Sequence, residues 1–216
     1  MTETKTRSIT GAIFGSVVVV LVMLSPWTNM ALWCIVGIQG AREMHAGTKS
    51  NNGVISVVFV VAAAAWVYLM CQLGWNKSGA HAPAQVLSFL FLIWANDSGA
   101  YFVGKPFGKH KLMPTVSPGK SWEGFFGGAF FAAIAAGFLF GWNAVWLGLL
   151  MAVLATAGDL FESAWKRTNG IKDSGTFMPG HGGILDRFDG FTIAAPVYGL
   201  ILYLHPLTFQ LNLLFP

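Results

Sequence analysis

Charge is what this 216-residue chain has least of: 13 Lys and Arg and 9 Asp and Glu, together 10% of the sequence. A soluble domain usually carries about 25% charged residues. So small a polar inventory excludes an ordinary soluble globule. With 55% apolar residues and a mean hydropathy of +0.60, the composition is that of a bilayer-embedded chain. Cysteine is scarce too. Cys34 and Cys71 both lie in apolar runs, which argues against a disulfide or a thiolate metal site and makes them small buried hydrophobes. There is no internal repeat, no low-complexity tract and no linker long enough to divide the chain. One membrane domain over 1–216 is therefore expected, with N-terminal helices over 1–75 and a core over 80–205. The formal charge of +4 speaks to loop placement, and no nucleic-acid partner is expected. What the chain does have is glycine, 26 residues of it, which suits close helix packing in lipid.

A spanning helix needs about 20 mostly apolar residues. Seven candidates appear, at about 9–25, 27–41, 53–73, 84–104, 122–141, 143–165 and 190–205. The expected fold is all-α, a polytopic helical bundle of about seven transmembrane helices. The tail 206–216 is apolar but too short to span. Lys5 and Arg7 before an apolar run resemble a signal peptide, yet Ser25-Pro26-Trp27 is no small-x-small cleavage site, so a retained first helix is expected. With the N-terminus in the cytoplasm, 12 of the 13 Lys and Arg fall on the cytoplasmic side and only Lys77 on the other. That asymmetry sets the expected orientation.

Most of the few charges gather in two polar segments, 97–123 and 159–189, both on the cytoplasmic side of that arrangement. In the second, Asp159, Glu162, Ser163 and Lys166 are spaced i, i+3, i+4 and i+7, one face of a helix. Asp186 and Asp189 share a face if a helix begins near Gly183. Carboxylates at membrane depth cost several kcal/mol unless paired or bound to a cation. Hard oxygen ligands favour Mg²⁺, which binds through one or two carboxylates plus substrate phosphates. Gly180, Gly182 and Gly183 around His181 allow backbone N–H groups to approach an anion. Lys166, Arg167, Lys172 and Arg187 supply positive charge for a polyanionic ligand.

The first segment runs from Asp97 through Lys105, Lys109, His110 and Lys111 to Ser117-Pro118-Gly119-Lys120-Ser121-Trp122-Glu123. Its four lysines and its glycines suit a lid over phosphates. Ser-Pro-Gly-Lys-Ser looks like part of a P-loop, but the Gly-x4-Gly-Lys-Ser/Thr spacing is absent and no strand precedes it. Asp97 is expected to face the bundle interior, either as a metal ligand or as the partner of Lys120. Glu43, beside Arg42, reads most simply as half of an interfacial charge pair.

Ser163-x-x-Lys166-Arg167-x4-Lys172-Asp173-x-Gly175-x3-Pro179-x-His181-Gly182-Gly183-x-x-Asp186-Arg187-x-Asp189 resembles the signature of phosphatidate cytidylyltransferases, the CDP-diacylglycerol synthases. Asp97-Ser-x-Ala-Tyr-x-x-Gly-Lys and Ser117-Pro-x-Lys-Ser-x-Glu-Gly are similar to the same family. The resemblance covers roughly residues 80–205. Trp165 and Met178 depart mildly from it, and both stay apolar.

The resemblance implies transfer of a cytidylyl group from CTP to phosphatidic acid, in phospholipid biosynthesis, at the cytoplasmic face of a bacterial inner membrane. It implies Mg²⁺ and leaves room for a second cation. The metal falls to Asp159 and Asp186, with Asp189 and Asp173 as further candidates. Lys166, Arg167, Lys172 and Arg187 become phosphate clamps. Ser163, His181, Gly182, Gly183, Lys105 and the loop of Ser117, Lys120 and Ser121 become contacts to nucleotide or lipid headgroup. A homodimer is the family's habit. The rival readings are a CTP-dependent polyprenol or phytol kinase, a cytidylyltransferase for a prenylated glycerol phosphate, and, in a different class, an ion-coupled transporter.

Overall fold

The structure is a computed structural model that describes residues 3–49, 53–76, 78–177 and 182–204, with side chains from residue 10 in the first helix and from 61 in the third. His181, Lys77 and the 206–216 tail lie outside the described residues, as do the Lys5 and Arg7 side chains. The described chain is almost entirely helical. Its helices are α1 (Glu3–Leu24), α2 (Pro26–Gly47), α3 (Gly53–Leu73), α4 (Pro83–Phe107), α5 (Trp122–Phe140), α6 (Val145–Asn169), a single turn α7 (Leu185–Phe188) and α8 (Phe191–Leu204). Three stretches are long and apolar enough to cross a membrane: Pro83–Phe107, Trp122–Phe140 and Trp142–Asn169. Shorter apolar helices run over Thr10–Leu24, Val61–Leu73 and Phe191–Leu204.

The long helices fall where the apolar runs predict them, but two outlast those runs. α2 continues to Gly47, so Arg42 and Glu43 sit on a helix and not in a loop. α6 continues to Asn169, which places Lys166 and Arg167 in its last turn, where cations favour the helix dipole. α6 stops at Gly170, whose φ is +71°. The Gly170 N–H donates to the Arg167 carbonyl and that of Ile171 to Lys166, the paired bonds of a Schellman end. α2 begins on a capping box: the Ser25 hydroxyl accepts from the Thr28 N–H, the Thr28 hydroxyl accepts from the Ser25 N–H, and Pro26 opens the helix.

A short antiparallel hairpin, β1 (Lys111–Met113) with β2 (Ser117–Ser121), interrupts the all-α expectation. The Pro-Gly pair, Pro118-Gly119, disfavours a helix in this stretch, and the extended pairing satisfies part of its backbone.

By compactness the chain divides into two units. One holds Met1–Pro83 with Trp165–Asp189; the other holds Ala84–Ala164 with Gly190–Pro216. The segment 165–189, read from sequence as part of the C-terminal core, therefore packs with the N-terminal helices. Its attachment is specific. The Trp165 indole N–H donates to the Thr48 hydroxyl at 3.2 Å, and the Lys49 N–H donates to the Asn169 side chain at 3.0 Å. Trp33 packs edge-on against Phe188, with ring centres 5.8 Å apart. In the second unit, glycines bring α4 and α5 together: a Cβ on Gly99 would lie 2.8 Å from the Gly127 carbonyl, and one on Gly127 2.5 Å from Val103. Phe89 of α4 meets Phe191 and Tyr198 of α8 at 5.2 and 5.1 Å.

Candidate active site

In the N-terminal unit the signature residues converge on one carboxylate. Asp186 opens α7, and its Oδ1 lies 2.6 Å from the Lys166 ammonium at the end of α6. Its Oδ2 accepts from the Ser174 N–H and hydroxyl, both at 2.9 Å, and from the Gly183 N–H at 2.7 Å. The two side chains are only 7% and 11% exposed, so the pair is shielded from salt and water. Burial alone raises the Asp186 carboxyl. The Lys166 ammonium and the N–H donors of Gly183 and Ser174 outweigh that and hold it below its ordinary value.

The loop geometry needs its glycines at two places. Gly182 has φ +80°, and a Cβ there would lie 2.5 Å from Asp186 Oδ2. A Cβ on Gly183 would lie 2.2 Å from the Ser174 hydroxyl. These glycines thus serve the carboxylate itself, in addition to the anion-facing role expected of them. Around this knot Arg167, Lys172, Asp173 and Arg187 are exposed, and Asp189 is half-buried. The Arg167 guanidinium also donates to the Ile171 carbonyl at 3.1 Å.

The residue that sequence reasoning missed is Glu43. It is 4% exposed and is not spent on a surface pair with Arg42. Its carboxylate accepts from the N–H groups of Ile184 at 3.0 Å and Leu185 at 2.9 Å, capping α7 from another element. It also accepts from the Ser174 hydroxyl at 3.1 Å and from the Gln39 amide at 3.1 Å. The available signal was a lone acid within a helix of low charge: at that burial a carboxylate must have several donors.

In the second unit Asp159 pairs with Lys120 and accepts from the Ser163 hydroxyl at 3.2 Å. Lys120 and Asp159 are 25% and 29% exposed. Lys120 therefore meets Asp159, and Asp97, expected to face the interior, is exposed while its neighbour Asn96 is buried. The reason is local: a Cβ on Gly128 of α5 would lie 2.6 Å from the Asn96 side-chain oxygen, so the amide and not the acid fills the helix contact. Glu162 of α6 is 2% exposed.

The hairpin is clipped to α5 at its base. Glu123 accepts from the N–H groups of Lys109 and His110 at 3.2 Å and pairs with the His110 ring at 2.6 Å. Ser121 is buried and caps α5 through the Gly124 N–H at 3.1 Å, so its hydroxyl joins hairpin to helix. Ser117 is half-buried. Lys105 is exposed and bonds the Tyr101 hydroxyl at 2.8 Å.

Among the described residues no three or more His, Cys, Asp or Glu side chains gather as a closed metal cage would need. What is present is simpler: Asp159 and Asp186 each hold a lysine ammonium on one oxygen. Each carboxylate thus already presents a lone pair to a cation, the donor chemistry of a hard-ion site completed by waters and phosphates.

The sequence model of the cytidylyltransferase family matches residues 45–205. The chain belongs to that family. Its relatives include the phosphatidate cytidylyltransferase of Pseudomonas aeruginosa, 45% identical over 131 residues, which are 56% of this chain and 48% of the relative. That of Mycobacterium bovis is 40% identical over 177 residues, 76% of this chain and 57% of the relative. That of Haemophilus influenzae is 34% identical over 188 residues, 80% of this chain and 64% of the relative. The chain thus spans about half to two thirds of the length of these cytidylyltransferases, and the matched region contains both polar segments.

Proposed function

We propose that this chain transfers a cytidylyl group from CTP to phosphatidic acid, giving CDP-diacylglycerol and pyrophosphate. An oxygen of the lipid phosphate attacks the α-phosphorus of CTP. The new P–O bond forms as the bond to the bridging oxygen of the β-phosphate breaks, and pyrophosphate leaves with that electron pair. A phosphate monoester has a second pKa of about 6, so the attacking oxygen is already anionic near neutral pH. No general base is required. The work is to bring two anions together and to neutralise a leaving one.

The reading is carried by the knot at Asp186, where Lys166 and Gly183 of the family signature, joined by Ser174, meet one carboxylate. Lys166, Arg167, Lys172 and Arg187 hold phosphates. Lys105, Lys120 and Ser117 act from the hairpin side, and Ser163 and His181 reach the nucleotide or headgroup. The family signature makes Asp159 and Asp186 the candidates to hold Mg²⁺, with Asp173 and Asp189 as further candidates. That ion would supply charge neutralisation on the phosphates. As phosphate arrives, Lys120 and Lys166 exchange their carboxylates for it, which leaves Asp159 and Asp186 free to meet a cation.

The same reading includes seven spans, a cytoplasmic N-terminus, a cytoplasm-facing site in a bacterial inner membrane and a homodimer. The 12-to-1 distribution of Lys and Arg supports the orientation.

The deciding assay uses purified protein in detergent or liposomes. Pyrophosphate is expected only when CTP, phosphatidic acid and Mg²⁺ are all present, and chelation should stop it. Release of CDP would instead make the chain a lipid kinase. Turnover with a prenylated glycerol phosphate but not phosphatidic acid would move the acceptor.

A further inference from the structure

We propose that Glu43 is a positioning residue for cytidylyl transfer: its buried carboxylate on α2 fixes the loop that aims Asp186. The inference rests on the reading above. Glu43 itself touches no substrate, because its oxygens are already taken. Oε1 accepts from Gln39 at 3.1 Å and Ile184 at 3.0 Å; Oε2 accepts from Leu185 at 2.9 Å and Ser174 at 3.1 Å. Four donors face it, and an ionised carboxylate has about four lone-pair sites and no proton to misplace.

The chemistry of those donors gives the role. Ile184 and Leu185 immediately precede Asp186, so holding their N–H groups sets where its side chain starts. Ser174 has one hydroxyl proton and two acceptors, Glu43 Oε2 at 3.1 Å and Asp186 Oδ2 at 2.9 Å. The hydroxyl bridges the two acids and ties the position of one to the other. The packing leaves Glu43 no alternative place. A Cβ on Gly175 would lie 2.9 Å from its carboxyl carbon, and one on Gly183 2.3 Å from Oε2. Glutamine has the same shape but one acceptor oxygen, so it must turn an N–H₂ toward Ile184 or Leu185 and leave that buried N–H without its bond.

The test measures pyrophosphate release by wild type, Glu43→Gln, Glu43→Asp, Ser174→Ala and Gly175→Ala, each purified in detergent. For each, kcat and the Mg²⁺ concentration at half-maximal rate are recorded. Loss of folded molecules lowers kcat but leaves the half-maximal Mg²⁺ concentration unchanged, so the second number separates positioning from mere stability. Glu43→Gln is expected to lose at least tenfold in kcat and to need at least threefold more Mg²⁺. Glu43→Asp, which keeps the charge, should recover part of both. In a Ser174→Ala background the cost of Glu43→Gln should shrink, since the two share one bridge.

An unchanged Mg²⁺ requirement in Glu43→Gln, or a kcat within threefold of wild type, would overturn the proposal. If Glu43→Gln does not fold, Ser174→Ala and Gly175→Ala decide the matter, since each disturbs the same carboxylate with Glu43 in place. Wild-type values in both would overturn it, and a raised Mg²⁺ requirement would support it. Wild type without pyrophosphate release removes the underlying reading instead, a result visible before any variant is compared.

Discussion

The two polar segments handle charge in opposite ways. In the unit that holds 165–189, Asp186 and Glu43 are drawn inward and hydrogen-bonded, while Asp173 stays exposed. Asp186 has Lys166, Ser174 and Gly183, and Glu43 has Gln39, Ser174, Ile184 and Leu185. In 97–123 most cations stay outside: Lys105, Lys109 and Lys111 are exposed, Lys120 pairs with Asp159, and Glu123 gathers several donors at the foot of the hairpin. The first is a scaffold whose charges fix a geometry. The second is a supply of mostly exposed cations hung from a fixed base. Substitutions should therefore hurt stability in one segment and chiefly turnover in the other.

The largest contrast is expected at Asp186. Asp186→Asn removes the carboxylate paired with the buried Lys166 ammonium, a change that costs about 3–5 kcal/mol in comparable buried pairs. Turnover should fall below a hundredth of wild type, and the thermal midpoint in detergent should fall with it. A normal midpoint would mean that the pair is not the scaffold described here. Asp159→Asn sharpens the comparison. Its pair with Lys120 is partly solvated, and such pairs contribute at most about 1 kcal/mol. Loss of turnover with a nearly unchanged midpoint is expected, and near-normal turnover would remove Asp159 from the metal assignment. The smallest effect is expected at Ser121. Ser121→Ala removes the cap of α5, worth about 1 kcal/mol, and loosens the junction of hairpin and helix. A few-fold rise in KM for CTP with kcat retained would support a hairpin that works through its lysines. An unchanged KM would detach the hairpin from nucleotide binding.

The long helices were legible because their apolar runs match the length of a span. The Asp159–Ser163 contact was legible too, since spacing on one helix decides it. Other features were hidden for physical reasons. In the hairpin Pro118 and Gly119 disfavour a helix, which says what the segment avoids and not what it becomes. The role of Asp97 was open between a metal site and Lys120, and Lys120 instead meets Asp159, because one sequence offers several acids. Glu43 was misread because three of its four partners lie 131 to 142 residues away, and no local pattern records such a pairing.

That separation has a consequence for how the chain is made. At a synthesis rate of about 5–20 residues per second, roughly 7–28 seconds pass between the emergence of residue 43 and that of residue 185. During that interval Gln39 is the one partner of Glu43 already in hand, and the carboxylate of α2 has no loop to hold. The second helix is therefore made before its carboxylate has its full set of partners. Its last element of structure is delivered by the far end of the nascent chain, and a truncation before Ile184 would leave an N-terminal bundle with an acid that its own helices cannot satisfy.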